Sequence, residues 1–191
     1  MPRDIRRKLI LVFGFVFIDL GYSLILPLLP YYADTFTASL TLVGLLGTSN
    51  ALAQLIAAPI IGRLSDRYGR RPLLIFSIAG TVLSFLILGL ANSLWMIFLS
   101  RVLDGLLGGN IALARAYITD ITDDSTRARG LGIIGAAFGL GFIIGPAMGG
   151  ILSQFGFSVP AYAAAGLSML NLVAVIAWLP ESLPEDERSA M

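Results

Sequence analysis

Gly62-Arg63-Leu64-Ser65-Asp66-Arg67-Tyr68-Gly69-Arg70-Arg71-Pro72 separates two long apolar stretches. Four of the thirteen Lys and Arg residues fall in this short segment. The residues on either side carry almost no charge, so the segment reads as a basic loop between two buried hydrophobic rods. Such a loop marks which side of a membrane it occupies.

Working outward, the composition agrees with a membrane protein. Hydrophobic residues make up 57% of the chain and charged residues 13%, against about 25% charged in soluble domains. There is no Cys, which excludes a disulfide framework, a thiol nucleophile and a thiolate metal site. There is no His either, so the commonest metal ligand and general base is missing. An intramembrane hydrolase would need such groups beside a serine or a metal. No nucleotide-binding loop is present. The reading is therefore of a non-enzyme with no cofactor, no metal and no nucleic-acid partner.

Six segments reach the roughly 20 apolar residues that a span requires. They lie near 9–32, 42–62, 73–91, 94–118, 131–154 and 159–179, within one bundle over 1–179. Residues 180–191 form a polar cytoplasmic tail or the start of a central linker. Backbone in hydrocarbon must satisfy its own hydrogen bonds, and alternation at period two is absent, so the spans are helices. The first apolar run is too long for a signal-peptide core of about 7–15 residues.

Arg3, Arg6, Arg7, Lys8, Arg63, Arg67, Arg70, Arg71, Arg127, Arg129 and Arg188 all fall on one side of this topology. The other side receives no Lys or Arg, only Asp34. Both termini and the basic loop are thus expected in the cytoplasm, and an even number of spans agrees.

Asp19, Arg101 and Asp104 lie well inside spans. A charge at mid-bilayer costs about 2.5–3.5 kcal/mol or more. Asp19 is about 15 Å into the first helix at 1.5 Å per residue, and Asp104 reaches a similar depth from the other side. Arg101 and Asp104 are one turn apart and share a face. Two readings stay open: a proton or cation relay, or a structural ion pair that pins helix register. Asn50, Gln54 and Asn110 are read as interhelical hydrogen bonds or substrate contacts. Arg115 can snorkel to the surface and has no assigned role.

In the fifth span Gly141, Gly145 and Gly149 recur every four residues, forming a smooth stripe for a neighbouring backbone. Pro146 removes a helix hydrogen bond in the middle of it, and Gly150 follows. Pro27 and Pro30 bend the first helix; Gly105, Gly108 and Gly109 do so in the fourth.

These motifs, in this order, resemble the N-terminal half of a major facilitator superfamily transporter, close to the proton-coupled tetracycline and multidrug exporters. Gly62, Asp66, Arg67, Gly69, Arg70 and Arg71 match the signature loop between helices 2 and 3. Arg101-Val102-Leu103-Asp104-Gly105 is similar to the helix-4 motif, and Gly141 through Gly150 to the antiporter motif of helix 5. Asp19 with Pro27-Leu28-Leu29-Pro30 resembles the exporters' first helix. Ala116 through Thr122 and Leu179-Pro180-Glu181-Ser182 also resemble exporter segments. Two departures stand out: Ser84 occupies a position where tetracycline exporters carry an aspartate, and Asp104 one that is usually uncharged.

The resemblance implies two inverted three-helix repeats, a plasma (inner) membrane location and a midplane cavity lined by helices 1 and 4. It implies Asp19 as proton carrier, tuned by Arg101 with Asp104 assisting, and Asp66 as a latch of the cytoplasmic gate. Arg67, Arg70 and Arg71 would bind acidic groups or lipid phosphates. Small-molecule substrate, protons and the lipid bilayer are the implied partners. A six-helix unit needs a second half, expected as continuing sequence, another chain or a second copy. The alternative is a non-transporting membrane subunit or interaction partner, or a fragment inactive alone.

Overall fold

The computed structural model describes residues 21–34, 36, 39–184 and 188. Among these the secondary structure is helical. Helix α1 (Gly21–Ile25) passes through a 3-10 turn at Leu26–Leu28 into α2 (Leu29–Asp34). Pro27, in that turn, has no N–H to give an α-helical ladder, so the helix tightens there. Then follow α3 (Leu40–Tyr68), α4 (Arg70–Gly89), α5 (Leu94–Leu107), α6 (Asn110–Ile121), α7 (Arg127–Ser153) and α8 (Val159–Trp178). Among the described residues five helical stretches, counting α5 and α6 as one, are long and apolar enough to cross a bilayer; residues 9–20 of the first expected span, near 9–32, lie outside the described residues. The chain is an all-α, multi-pass membrane protein.

The boundaries differ from the expected spans in two instructive places. The basic segment is not an open loop: α3 runs on to Tyr68, α4 begins at Arg70, and Gly69 alone makes the turn. Its φ of 101° lies in the left-handed region that glycine accepts without strain. Hydropathy marks where the apolar run stops, whereas a helix continues into water while its polar side chains find partners. The second difference is the fourth span, which breaks between α5 and α6. Gly108 leaves helical geometry (φ −79°, ψ 57°), while its N–H still reaches the Asp104 carbonyl at 2.7 Å. Consecutive glycines have no Cβ to hold the helix together at that point. By contrast, α7 runs unbroken through Pro146.

Helix packing follows a regular pattern. α1 packs on α7 and α8, α5 packs on α3 and α4, and α4 packs along α8. Large apolar side chains such as Leu55, Ile56, Trp95, Ile143 and Trp178 face outward, as they should where the solvent is lipid rather than water.

The interior has two apolar clusters. One gathers Ile61, Leu74, Ile78, Leu113, Tyr117 and Val175; the other gathers Leu46, Phe85, Leu88, Ile97, Ala161 and Ala165. Between these two clusters lie buried polar side chains on four helices. They are Asn50 on α3, Thr81 and Ser84 on α4, Ser100, Arg101 and Asp104 on α5, and Ser168 and Asn171 on α8. A polar layer therefore crosses the bundle between two apolar caps. Buried polar groups in a membrane are costly unless partnered, so this layer is where function concentrates.

Candidate functional site

Arg101 is the largest fully buried side chain of the described residues, at 1% exposure. Its Nη2 donates to Ser100 Oγ at 3.1 Å, and its guanidinium lies over the Phe85 ring at 5.6 Å from the centroid, within cation–π range. Nη1 approaches Asp104 Oδ2 at 3.8 Å. That is Coulombic contact but too long for a hydrogen bond. Arg101 Nε and Nη1 carry no hydrogen bond among the described residues. The pair is therefore close but loosely tied, unlike the bidentate fork that Arg makes in a rigid structural bridge.

Asn50 supplies the connection across helices. Its Nδ2 donates to the Arg101 carbonyl at 3.0 Å and to Asp104 Oδ2 at 3.1 Å. Close approach of α3 and α5 makes this possible: Gly105 faces the Asn50 carbonyl and the Ala53 methyl with no room for a Cβ. Ser84, on α4, donates to the Ser100 carbonyl at 2.9 Å, which anchors α5 from its other side. The Nδ2 of Asn50 thus donates twice inside the protein. Gln54 reaches the Gly108 carbonyl at 3.4 Å, at the helix break, and Asn110 donates to Thr81 Oγ1 at 3.2 Å.

These groups border a cavity of about 190 Å³ between α1, α3, α6 and α7. Its wall includes Asp104, Asn50, Gln54, Asn110, Phe138 and Phe142. Arg101 is not on that wall. Asp19 lies outside the described residues. Sequence reasoning gave no site role to Tyr22 or to the ring pair Phe138–Phe142, whose centroids are 4.9 Å apart. The four-residue spacing of the two rings was the available signal.

The glycine stripe of α7 packs on α1. Ser23 Oγ donates to the Gly141 carbonyl at 3.0 Å. Gly145 and Gly149 face the backbone of Ser23 and Leu24. Gly150 is exposed, with open space where a side chain would go, and Pro146 sits part-buried beside the stripe.

A second cluster lies at the turn between α3 and α4. Arg70 bonds Asp120 Oδ2 at 3.0 Å through Nε, and Ser65 Oγ at 2.6 Å and Asp66 Oδ1 at 2.5 Å through Nη1. Ser182 Oγ donates to the same Asp120 oxygen at 2.9 Å. The Glu181 carboxylate accepts from the backbone N–H of Arg70 at 2.8 Å and of Arg71 at 3.2 Å. A helix N-terminus leaves its first N–H groups without partners. Pro72 has none to offer, so Glu181 covers the first two donors of α4 and places a negative charge at its positive end. Arg71 donates to the Ile176 carbonyl at 2.7 Å, and Arg67 lies 5.2 Å from the Tyr68 ring centroid on the surface. A methyl at Gly62 would meet open space, whereas one at Gly69 would strike Glu181. Asp66 and Arg70 thus engage one another within this half.

Glu181 and Asp120 carried no assigned role in the sequence reading, because their partners lie 111 and 50 residues from them in the chain. Glu181→Gln keeps the shape and removes the charge. It is expected to lower stability by about 1–2 kcal/mol, read as a fall in thermal unfolding midpoint in detergent. An unchanged midpoint would show that the carboxylate does not hold the α4 terminus.

The comparisons with known proteins agree with this architecture. The family model of the Major Facilitator Superfamily matches residues 11–191. The tetracycline resistance protein, class B, of Escherichia coli is 39% identical over 166 residues, covering 85% of this chain and 41% of that protein. Multidrug resistance protein 2 of Bacillus subtilis (strain 168) is 36% identical over 170 residues, covering 88% and 42%. The crystal structure of the human organic anion transporter MFSD10 (TETRAN) superposes with a TM-score of 0.85 at 27% identity, covering 98% of this chain and 50% of that one. The chain spans half or less of the length of each of these relatives. With the signature turn, the polar layer and the glycine stripe all in place, this chain belongs to the major facilitator superfamily.

Proposed function

We propose that the chain is the N-terminal half of a proton-coupled antiporter that exports a drug-like or small organic compound, as in tetracycline-type efflux. One observation carries the reading: a buried Arg101–Asp104 pair whose guanidinium keeps two donors, Nε and Nη1, without a hydrogen bond among the described residues, set beside a cavity in the polar layer. A structural bridge gains nothing from unmade hydrogen bonds, whereas a proton-coupled site needs groups that can change partners. In this reading Asp19 carries the proton, Arg101 tunes it, and Asp104 responds to both.

Six spans arranged as two inverted three-helix repeats account for the packing. Let α1–α4 form one repeat and α5–α8 the other. Exchanging them turns the α1–α7 and α1–α8 contacts into α5–α3 and α5–α4, and returns α4–α8 to itself. Such repeats place a binding site at their interface. The equivalent helices α3 and α7 also present glycines that meet no neighbour among the described residues, including Gly44 and Gly47 on one and Gly132, Gly135 and Gly139 on the other. Smooth faces of this kind suit close packing by a second six-helix half. With the basic turn inside, both termini are cytoplasmic and the protein sits in the plasma (inner) membrane. The cluster around Asp66 and Arg70 then locks the inward side and opens when Asp66 exchanges Arg70 for the other half.

The test is gradient-driven transport by the intact gene product in proteoliposomes. Asp19→Asn is expected to abolish uptake driven by an imposed pH gradient while leaving the protein folded. Uptake at the wild-type rate would remove Asp19 from the coupling mechanism.

A further inference from the structure

We infer that Arg115 is a docking point for the second six-helix half: it faces an aspartate or glutamate of that half, and the ion pair between them holds the inward side closed. The inference rests on the reading of the chain as half of a transporter, and it adds the chemistry of the surface that covers this one.

Arg115 lies on α6, six residues before that helix ends at Ile121. That is about 9 Å into the span at 1.5 Å per residue. Two cavities flank it. One, of about 400 Å³, lies between α6 and α7 and is lined by Ile134, Gly135 and Phe138. The other, of about 330 Å³, lies between α3 and α6 and is lined by Gln54, Ala58 and Ile61. Arg115 borders both. Ile111, one turn deeper, borders both of them and the polar cavity as well. Arg115 therefore stands on the cavity side of α6, between α3 and α7, and not against lipid.

Arg70, Arg101 and Arg127 each have a carboxylate of this half beside them: Asp66 and Asp120, Asp104, and Asp124. Arg115 does not. Its carbonyl accepts from Thr119, but its guanidinium meets no acceptor or carboxylate among the described residues, and the side chain is exposed. In a water-filled mouth a guanidinium needs no partner. It cannot shed its charge, so when a second half packs over this face and displaces the water, an unpaired Arg115 becomes costly. The flanking helices make that packing close. Gly62 on α3 and Gly132 and Gly135 on α7 meet no neighbour among the described residues, so an opposing helix can bring its backbone near. A short acidic side chain on that helix then reaches Arg115. A helix offering only apolar or basic groups there would leave the charge bare or add repulsion. The pair forms as the halves close on the inward side and parts when the mouth rehydrates.

The test uses the intact gene product in proteoliposomes, made cysteine-free and then given Ala58→Cys in the α3-side cavity; this chain has no cysteine of its own. The rate of alkylation by N-ethylmaleimide, which is neutral and crosses the bilayer, reads how often the inward side is open. Arg115→Glu is expected to raise that rate about tenfold, because like charges then face one another. Arg115→Gln should raise it less, and this covers the case where the charge reversal folds poorly. Arg115→Lys should stay nearer the wild type than Arg115→Gln. On the Arg115→Glu background, each aspartate and glutamate in the spans of the second half is then changed to lysine. One of these reversals is expected to bring the rate back to within about twofold of the wild type. The proposal is overturned if Arg115→Gln and Arg115→Glu both alkylate at the wild-type rate, or if no reversal restores it. Protection that requires phosphatidylglycerol, and is lost in phosphatidylcholine alone, would assign Arg115 to a lipid phosphate and equally overturn it. Alkylation needs neither substrate nor gradient. The pair can therefore stand where Asp19→Asn still transports, and proton coupling can stand where no reversal restores the rate.

Discussion

Arg101→Ala is expected to abolish gradient-driven transport and to destabilise the fold by about 3–5 kcal/mol. The reason is what remains. Asp104 stays buried in the polar layer with Asn50 as its one remaining partner among the described residues, and the Phe85 ring loses the guanidinium that covers it. An uncompensated carboxylate in such a place is far costlier than the pair. Arg101→Lys separates the two effects. It keeps the charge and most of the stability, but a single ammonium cannot reach Ser100 and lie flat over Phe85 at once. Transport in the lysine variant should therefore fall much further than its thermal midpoint. Equal falls in both would mean that Arg101 is only structural.

Gly145→Val should be nearly as damaging, through sterics alone. A Cβ there would run into the Ser23 side chain and the backbone of Ser23 and Leu24, and backbone cannot rotate away as a flexible side chain does. Overpacking of this kind typically costs about 1–3 kcal/mol. It would also push α1 off α7, breaking the Ser23–Gly141 hydrogen bond. Gly150→Ala, five residues on in the same motif, meets open space and should cost nothing; helix propensity favours it by up to about 1 kcal/mol. Thermal unfolding of the two variants side by side makes the comparison. If Gly145→Val unfolds with the wild type, the stripe does not hold α1.

The sequence disclosed those features whose signal is local. Apolar runs of span length, arginines confined to one side and charges inside apolar runs can all be recognised without knowing what packs against what. Arg101 and Asp104 drew notice because neither belongs in hydrocarbon unaided. The rest depended on partners far along the chain. The turn at Gly69 looked like a loop because its arginines are charged, but a helix persists there because Asp66, Asp120 and Glu181 receive those charges and cap the next helix. Asn50 was readable as a polar group in a span that must bond to something, but its partners, the Arg101 carbonyl and Asp104, follow only from the close approach at Gly105. The break at Gly108 and Gly109 was written in two glycines, yet a pair of glycines equally permits a continuous, tightly packed helix. Which outcome holds is set by the polar groups on neighbouring helices that take up the freed carbonyls, such as Gln54 and Ser77.

The central claim is that the polar layer couples proton movement to export. Its most direct test is uptake of a candidate compound by proteoliposomes holding the intact gene product, with and without an imposed pH gradient. The account predicts uptake that requires the gradient, collapses when an ionophore dissipates it, and is lost in Arg101→Ala while Gly150→Ala retains it. Uptake that ignores the gradient, or that survives in Arg101→Ala, would contradict it.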